Sequence, residues 1–246
     1  RIPRATYRFQ FNADFTFADA LALVPYLDEL GVSHLYASPL FKARPGSTHG
    51  YDVVDYNTLN PVLGTEEEFD ALAAALAERN MSILLDVVPN HMGVSTANAW
   101  WTNVLKHGPA SQYAPYFDID WRPRNRALDD KVLLPVLGDH YGRVLESGEL
   151  KVVYWHGDFY LHYYDSQFPL TPESYAPILE RAWGRLTNLV RREPAAEMEL
   201  ASILYTLRYL PPYGERNAEA VAHRHREAAI LRSRLRELFD QSAAFR

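Results

Sequence analysis

The chain has 246 residues, of which 48% are hydrophobic and 13% aromatic, and this length and apolar content exclude intrinsic disorder and allow one large domain or two smaller ones. A formal net charge of −6 at pH 7 argues against a nucleic-acid partner, because phosphate binding requires clustered Lys and Arg, and it favours a neutral ligand. The absence of cysteine excludes disulfides, thiol nucleophiles and cysteine-ligated zinc, and the sequence has no apolar run long enough to span a membrane, so we expect a cytoplasmic protein.

The first predicted elements are a strand, a helix and a second strand. Alternating aromatic and polar residues predict a strand over residues 5–11. Apolar residues at helical spacing predict a helix over residues 17–30, kinked at Pro25, and a short strand follows at residues 32–37. Such a unit of strand, helix and strand has a right-handed crossover, which implies a parallel sheet.

A predicted long loop, a helix and a third strand come next. Residues 41–64 are rich in glycine and proline and predict the loop, and long loops are usually functional. The helix has Thr65 as its N-cap, and Glu68 completes a capping box. The apolar run at residues 82–88 is interrupted only by Asp86 and predicts a strand buried on both faces. Because a buried carboxylate loses its hydration, we expect Asp86 to pair with an arginine.

The remaining sequence predicts an irregular subdomain followed by helices. Short strands are predicted at residues 131–137, 152–155 and 159–163. Helices are predicted to begin at Pro172, at Pro194 and after the cap residue Asn217. The arginines of the last helix are predicted to lie on solvated faces; they are Arg224, Arg226, Arg232, Arg234 and Arg236.

The first three predicted strands alternate with helices, as in a (β/α)8 barrel or a doubly wound sheet. In either fold the functional groups lie at the carboxyl ends of the parallel strands. The polar and aromatic side chains near these ends are Arg8, Gln10, His49, Tyr51, Asp52, Asp86, Asn90 and His91. Aromatic rings stack on the C–H face of a sugar while amide, imidazole and carboxylate groups bind its hydroxyls, so these residue types predict a site for a polyhydroxylated ligand.

At these positions the sequence resembles the α-amylase superfamily of glycoside hydrolases, glycoside hydrolase family 13. The segment DVVPNH at residues 86–91 resembles the first conserved region of that superfamily, and HGYDVVDY at residues 49–56 resembles its substrate-stacking loop. Within the superfamily, several segments together resemble the family of maltooligosyltrehalose synthases, namely PRATYRFQF, LGVSHLYASP, ARPGSTHGYDVVDY, YFDIDW, KVLLPVLG and YYDSQFPL.

The resemblance implies an α/β fold that is an incomplete (β/α)8 TIM barrel, with the first three βα units at residues 1–94. It places an irregular inserted subdomain at residues 95–170 and a helical insertion, preceding a fourth strand, at residues 171–246. The family's nucleophile Asp lies in a G-x-R-x-D stretch that this sequence lacks, so we expect the nucleophile and the acid/base Glu beyond residue 246. The chain is then the amino-terminal part of a longer enzyme and is expected to be inactive alone.

The activity that the resemblance implies is an intramolecular transglucosylation of carbohydrate metabolism. It converts the reducing-end α-1,4 linkage of a maltooligosaccharide to α,α-1,1 in trehalose biosynthesis, so the enzyme would be an isomerase that uses the retaining mechanism. The implied partners are the maltooligosaccharide substrate and the remainder of the same polypeptide. No cofactor, metal ion, nucleic acid or membrane is expected.

The resemblance also implies a role for each candidate residue. Tyr51 would stack under the sugar ring at the cleavage subsite, and His91 would bind its primary hydroxyl. The other expected substrate-binding residues are His49, Arg8 and Gln10. The expected site-supporting residues are Asp86, Asn90 and Asp52, and Asp86 would pair with an arginine of the fourth strand.

Other interpretations of these residues stay open. A hydrolase of the same superfamily would differ by letting water attack the glycosyl intermediate. A non-catalytic glucan-binding module would bind the same sugar without the two carboxylates. For single residues, Arg8 could instead be the partner of a loop carboxylate, and His49 could fix its own loop through hydrogen bonds.

Overall fold

The computed structural model of the protein describes residues 2–190, 193–243 and 245, without the side chains of residues 185–190. The chain forms two compact units, Arg1–Ala99 and Trp100–Arg246. No helix in the described part of the chain is long and apolar enough to cross a membrane. The finer division into residues 1–94, 95–170 and 171–246 stays a prediction.

The first unit alternates strands and helices along the chain. In order these are β1 (Thr6–Phe9), α1 (Phe17–Ala22), α2 (Val24–Glu29), β2 (His34–Ala37), β3 (Phe41–Ala43), β4 (Val53–Leu59), α3 (Glu66–Glu78) and β5 (Ser82–Leu85). Strands β1, β2 and β5 form a parallel sheet in that order, as the βαβ pattern predicts. The unit is therefore α/β, and its described strands form no closed barrel.

The helices of the first unit follow their sequence signals closely. The predicted helix over residues 17–30 is two helices, because Pro25 lies in the first turn of α2, where its missing N–H costs nothing. The predicted capping box of α3 is confirmed. The Glu68 amide donates to Thr65 Oγ1 at 3.2 Å, and the Thr65 amide donates to Glu68 Oε2 at 2.7 Å.

The core of the first unit lies between its helices and one face of the parallel sheet. Leu35 of β2 is fully buried there, together with Phe17, Leu27 and Leu72 from the three helices. Because side chains alternate along a strand, the neighbours of Leu35 in β2 face the opposite side of the sheet. That opposite side carries the candidate site.

Two predictions for this unit are wrong. Residues 41–64 are not a continuous loop, since they contain the antiparallel hairpin of β3 and β4, whose irregular register disrupts the alternation that would reveal it. The third strand ends at Leu85 and is not buried on both faces, because Leu84 is 41% exposed and Leu85 is 47% exposed. Strand β5 lies at the edge of the sheet, and no described strand covers its other side.

The second unit combines helices with a small antiparallel sheet. Its elements are α4 (Ala99–His107), α5 (Tyr141–Glu146), β6 (Leu150–Trp155), β7 (Asp158–Tyr163), β8 (Ser166–Pro169), α6 (Tyr175–Val190), α7 (Pro194–Arg208) and α8 (Ala218–Gln241), and α4 begins at the last residue of the first unit. The strands pair in the order β6-β7-β8. Its core contains residues of β7, α6, α7 and α8.

In the second unit, one predicted strand is wrong, and one helix start and one helix cap are confirmed. The strand predicted at residues 131–137 is wrong, since that segment is irregular, and β8 was not predicted. Helix α7 begins at Pro194 as expected, whereas α6 begins at Tyr175 after a 3-10 turn at Pro172–Ser174. The Asn217 cap is confirmed, because its side chain accepts hydrogen bonds from two amides of the first turn of α8.

Arg224 corrects the prediction that the arginines of α8 are solvated. Its side chain is fully buried, and its guanidinium donates to both carboxylate oxygens of Glu173 at 2.5 and 2.9 Å and to the Pro211 carbonyl at 2.5 Å. The buried stripe of α8 continues from Arg224 through Ala228, Leu231, Leu235 and Leu238. An arginine in that stripe is tolerated because its charge has a bidentate carboxylate partner.

Candidate functional site

The register of the parallel sheet brings three candidate side chains to one face. Arg8 of β1 lies opposite Tyr36 of β2, and Tyr36 lies opposite Leu84 of β5. Asp86 follows Leu84 by two residues and continues the same face. This face is opposite the one that packs against the helices, so its polar groups can serve a ligand rather than the core.

Asp86 is the acceptor on which this cluster converges. The Tyr51 hydroxyl donates to Asp86 Oδ2 at 2.6 Å and the Tyr36 hydroxyl at 3.0 Å, while Arg8 Nη2 lies 3.4 Å from the same oxygen. The Asp86 side chain is 14% exposed. Within the described residues, the arginine that the sequence requires for Asp86 is therefore Arg8.

Arg8 also contacts both tyrosines that donate to this carboxylate. Its Nη2 donates to the Tyr51 hydroxyl oxygen at 3.0 Å, its Nη1 donates to Gln10 Oε1 at 3.3 Å, and its guanidinium carbon lies 5.1 Å from the centre of the Tyr36 ring. The hydrogen bond with Tyr51 raises the pKa of Arg8, with smaller contributions from the nearby tyrosines and Asp86. Gln10 continues the chain of hydrogen bonds to the Thr48 carbonyl at 3.4 Å.

The hydroxyl of Tyr36 is held in its protonated form. The hydrogen bond that it donates to Asp86 raises the pKa of Tyr36, because ionisation would remove the donor and place two negative charges side by side. Tyr36 was not among the residues expected from the sequence. Its position in β2, with a side chain on the same face as Arg8, is the signal that could have identified it.

His91 lies against the backbone of Tyr51. Its Nε2 donates to the Tyr51 carbonyl at 3.1 Å, and its Nδ1 lies 2.9 Å from Asn90 Oδ1. The Tyr56 hydroxyl holds the turn that carries Asn90 and His91, because it lies 2.8 Å from the Val88 carbonyl and 3.0 Å from the His91 carbonyl. The structure thus brings His91, Asn90 and Tyr51 together.

The loop that carries Tyr51 is fixed by its own side chains. Asp52 accepts a short hydrogen bond from the Ser47 hydroxyl and lies 3.6 Å from Arg44 Nε. His49 Nδ1 accepts the Tyr51 amide at 3.0 Å, and the His49 ring stacks on the Tyr51 ring with centroids 6.0 Å apart. His49 therefore makes the loop hydrogen bond that the sequence left as an alternative, while half of its side chain stays exposed beside the site.

The arrangement presents one aromatic ring with polar groups on both sides. A small cavity beside Asp86 is lined by Pro39, Phe41, Tyr51, Val53, Tyr56, Val87 and Val88. No group of three or more His, Cys, Asp or Glu side chains in the described part of the chain could hold a metal ion. The chemistry available here is ring stacking and hydrogen bonding, which suits a sugar.

Comparisons with known proteins identify a family and several relatives of this chain. The family "Alpha amylase, catalytic domain" matches residues 21–171. A putative maltooligosyl trehalose synthase of Mycobacterium tuberculosis is 49% identical over 141 residues, which cover 54% of this chain and 18% of that protein. An intracellular maltogenic amylase of Bacillus subtilis is 36% identical over 140 residues, which cover 56% of this chain and 21% of that protein.

A solved structure shows the same likeness. The maltooligosyltrehalose synthase of Arthrobacter ramosus superposes with a TM-score of 0.59 at 44% identity, over 68% of this chain and 21% of that one. The chain thus spans about a fifth of the length of the relatives that it matches. Because the family match extends over more than half of the chain, the chain belongs to the alpha-amylase catalytic-domain family.

Proposed function

We propose that the chain is the amino-terminal part of a maltooligosyltrehalose synthase, an isomerase that converts the reducing-end α-1,4 linkage of a maltooligosaccharide to α,α-1,1. The observation that carries this proposal is the 49% identity to the Mycobacterium tuberculosis relative, against 36% to the maltogenic amylase over nearly the same length. The fixed Tyr51 ring with its polar surroundings supports a sugar subsite. The parallel strands would be the first part of a (β/α)8 TIM barrel.

Each side chain of the site has a role in this proposal. Tyr51 stacks on the sugar ring at the cleavage subsite, and His91, fixed to the Tyr51 carbonyl, meets a primary hydroxyl. Three further residues bind the substrate in this proposal, and they are Arg8, Gln10 and His49. Those that support it are Asp86, which holds the Tyr51 hydroxyl, Asn90 and Asp52.

The bond-breaking carboxylates of this proposal come from the remainder of the polypeptide. A retaining enzyme needs a nucleophile and an acid/base group about 5–5.5 Å apart. Among the described carboxylates, Asp86 and Asp52 touch the candidate site, and both hold other side chains there, while the sequence lacks the family's G-x-R-x-D stretch. The chain therefore binds and orients the sugar, while the nucleophile Asp and the acid/base Glu lie beyond residue 246.

A hydrolase of the same superfamily is the second candidate. The identity of 36% to an intracellular maltogenic amylase of Bacillus subtilis favours it, because that likeness covers a similar share of the chain. The two reactions share the sugar subsite and differ in the group that attacks the intermediate. In a synthase the released glucose is retained and attacks, whereas in a hydrolase water attacks.

One incubation separates these functions. The full-length protein is incubated with maltopentaose, and reducing ends and product masses are followed together. A synthase lowers the number of reducing ends while the mass stays that of maltopentaose, whereas a hydrolase raises the number of reducing ends and gives shorter products. Unchanged maltopentaose overturns both candidates.

A variant then links the activity to this site. We expect Tyr51→Ala to lower kcat/KM about tenfold or more, because the sugar loses its stacking surface. The matched control is Tyr26→Ala, since Tyr26 lies on α2, away from the sheet face that carries the site, and is 51% exposed. Equal activity of the two variants would contradict the assignment of Tyr51.

A further inference from the structure

We propose that Tyr36 is a positioning residue that aligns the Tyr51 ring by holding both groups bonded to the Tyr51 hydroxyl. These two groups are the Asp86 carboxylate and the Arg8 guanidinium. The inference rests on the proposed function, because Tyr51 is the ring that stacks on the sugar there. It gives a role to a side chain that lies in the segment LGVSHLYASP but to which the sequence analysis assigned none.

Tyr36 lies where it can hold both groups. It lies in the central strand of the parallel sheet, between Arg8 on β1 and the end of β5, from which Asp86 follows. The backbone of a central strand is fixed by hydrogen bonds to strands on both sides. A side chain on it therefore starts from a better-fixed position than one on a loop. Tyr51, in contrast, belongs to the segment between β3 and β4.

Tyr36 contacts both groups that bond to the Tyr51 hydroxyl. The Tyr36 hydroxyl donates to Asp86 Oδ2 at 3.0 Å, and the face of the Tyr36 ring lies under the Arg8 guanidinium at 5.1 Å. Tyr36 makes no described hydrogen bond to Tyr51, whose hydroxyl donates to Asp86 and accepts from Arg8. Tyr36 therefore acts on Tyr51 through two different groups, one held by the hydroxyl and one by the ring.

The Tyr36 hydroxyl also limits the rotation of the Asp86 carboxylate. All three donors meet Asp86 at Oδ2, and no described side chain donates to Oδ1. Without the Tyr36 hydroxyl, the carboxylate would rotate more easily about its last torsion, because only Tyr51 and the longer contact to Arg8 would remain. A rotation of Asp86 moves the acceptor of the Tyr51 hydroxyl and thereby tilts the ring.

The protonation of Tyr36 is compatible with this role. Its pKa is raised by Asp86, so the hydroxyl remains a donor throughout the neutral range. The ionisable groups that face it are Asp86, Arg8 and Tyr51.

The test is a double-mutant cycle in the full-length protein with maltopentaose as the substrate. We expect Tyr36→Phe to lower kcat about tenfold, the size of a lost hydrogen bond to a charged group, and to change KM less than about threefold, because subsites elsewhere still bind the glucan. In the Tyr51→Phe background the hydroxyl that Tyr36 aligns is absent, so the same substitution should lower kcat less than about threefold. The control is Tyr26→Phe, which should match the wild type.

The outcomes distinguish the inference from the function on which it rests. Additive effects of Tyr36→Phe and Tyr51→Phe, or equal activity of Tyr36→Phe and Tyr26→Phe, overturn the positioning role while the function stands. Wild-type protein that leaves maltopentaose unchanged overturns the proposed function and the inference with it. Urea unfolding of all variants identifies a loss of activity that follows from a loss of folded protein, and such a correlation would also contradict positioning.

Discussion

His107 is a histidine that the fold keeps neutral. It lies in α4 with only 6% of its surface exposed, and its Nδ1 has no hydrogen-bond partner among the described residues. Burial lowers the pKa of His107 to about 3, and His225, whose ring lies 4.6 Å away, together with Lys106 and Arg224, contributes in the same direction. Each of these groups disfavours a positive charge on the imidazole, because burial removes its hydration and the neighbours repel it.

This histidine predicts a loss of stability in mild acid. The unfolded chain binds a proton at His107 below its ordinary pKa of about 6.5, whereas the folded protein does not until about pH 3, so the free energy of unfolding falls as the pH falls through this window. Between pH 6.5 and pH 5 the wild type should lose about 2 kcal/mol more than His107→Phe, which cannot titrate. Urea unfolding at the two pH values measures the difference.

The matched control for this experiment is His223→Phe on the exposed side of α8. Half of the His223 side chain is exposed, and its replacement leaves the buried His107 in place, so this variant should lose as much stability as the wild type. Equal losses in the wild type and in His107→Phe would contradict the burial of a neutral imidazole.

At the same scale, the sequence predicted which residues meet but not how they pair. Asp86 required a cation because its flanking residues are apolar, and the structure supplies Arg8. The choice of Arg8 depends on the register of β1 against β2 and of β2 against β5, which no local pattern contains. Tyr36 escaped prediction for the same reason, since an isolated tyrosine in a strand usually packs and only its register reveals the carboxylate.

At the scale of elements, a two-residue turn links β6 and β7. Trp155 pairs with Asp158, and the residues between them, His156 and Gly157, have φ values of 49° and 89°. Positive φ at both positions is typical of the tight hairpin turn that matches the twist of its strands. Gly157 also packs directly against α8, since a Cβ at this position would overlap the backbone carbonyl oxygen of Arg232.

This contact predicts different costs for the same substitution at two glycines. Gly148 has a φ of 71° and open space around it, so Gly148→Ala should lower the free energy of unfolding by about 1 kcal/mol, the cost of a left-handed alanine. Gly157→Ala adds an overlap with backbone atoms that cannot rotate away and should cost about 3 kcal/mol or more. Urea unfolding measures both, and equal costs would contradict the close packing of the turn on α8.

Elements with strong local signals were predicted well, and those that depend on distant partners were not. The caps of α3 and α8 were predictable, because a capping residue and the amides it binds are within three positions of each other. The hairpin of β3 and β4 was missed because its two strands pair with each other across a segment rich in glycine and proline, which by itself predicts a loop. Arg224 was misplaced because the carboxylate that neutralises its buried charge belongs to Glu173, 51 residues away.

At the scale of the whole molecule, the first unit brings together the residues that we propose to bind and orient a sugar. The predicted α/β class and parallel order are confirmed, because alternating strands and helices constrain the topology strongly. The exposure of Leu84 and Leu85 was not predicted, since the sequence of a strand does not reveal what covers it. The candidate side chains lie in these strands, at their ends and in the following loops.

The last prediction concerns the bond-breaking step. Asp86 holds Arg8 and two tyrosine hydroxyls, and Asp52 is bound by Ser47 and Arg44, so both carboxylates support other side chains of the candidate site. The sequence also lacks the G-x-R-x-D stretch in which the family carries its nucleophile. We therefore expect the chain of residues 1–246, shown to be folded by its urea transition, to form no product from maltopentaose. Turnover by this chain would overturn the placement of the catalytic carboxylates beyond residue 246.

A variant of the full-length protein makes the same point when the isolated chain does not fold. Asp86→Asn keeps the shape of the side chain but weakens the bonds to Arg8 and Tyr51, so it should lower kcat about a hundredfold, the cost of a misplaced binding group. A nucleophile replaced by its amide would lose all turnover by the retaining route, because no covalent intermediate can form. Residual activity of Asp86→Asn therefore supports an orienting carboxylate, and complete loss in a variant that still folds would contradict that role.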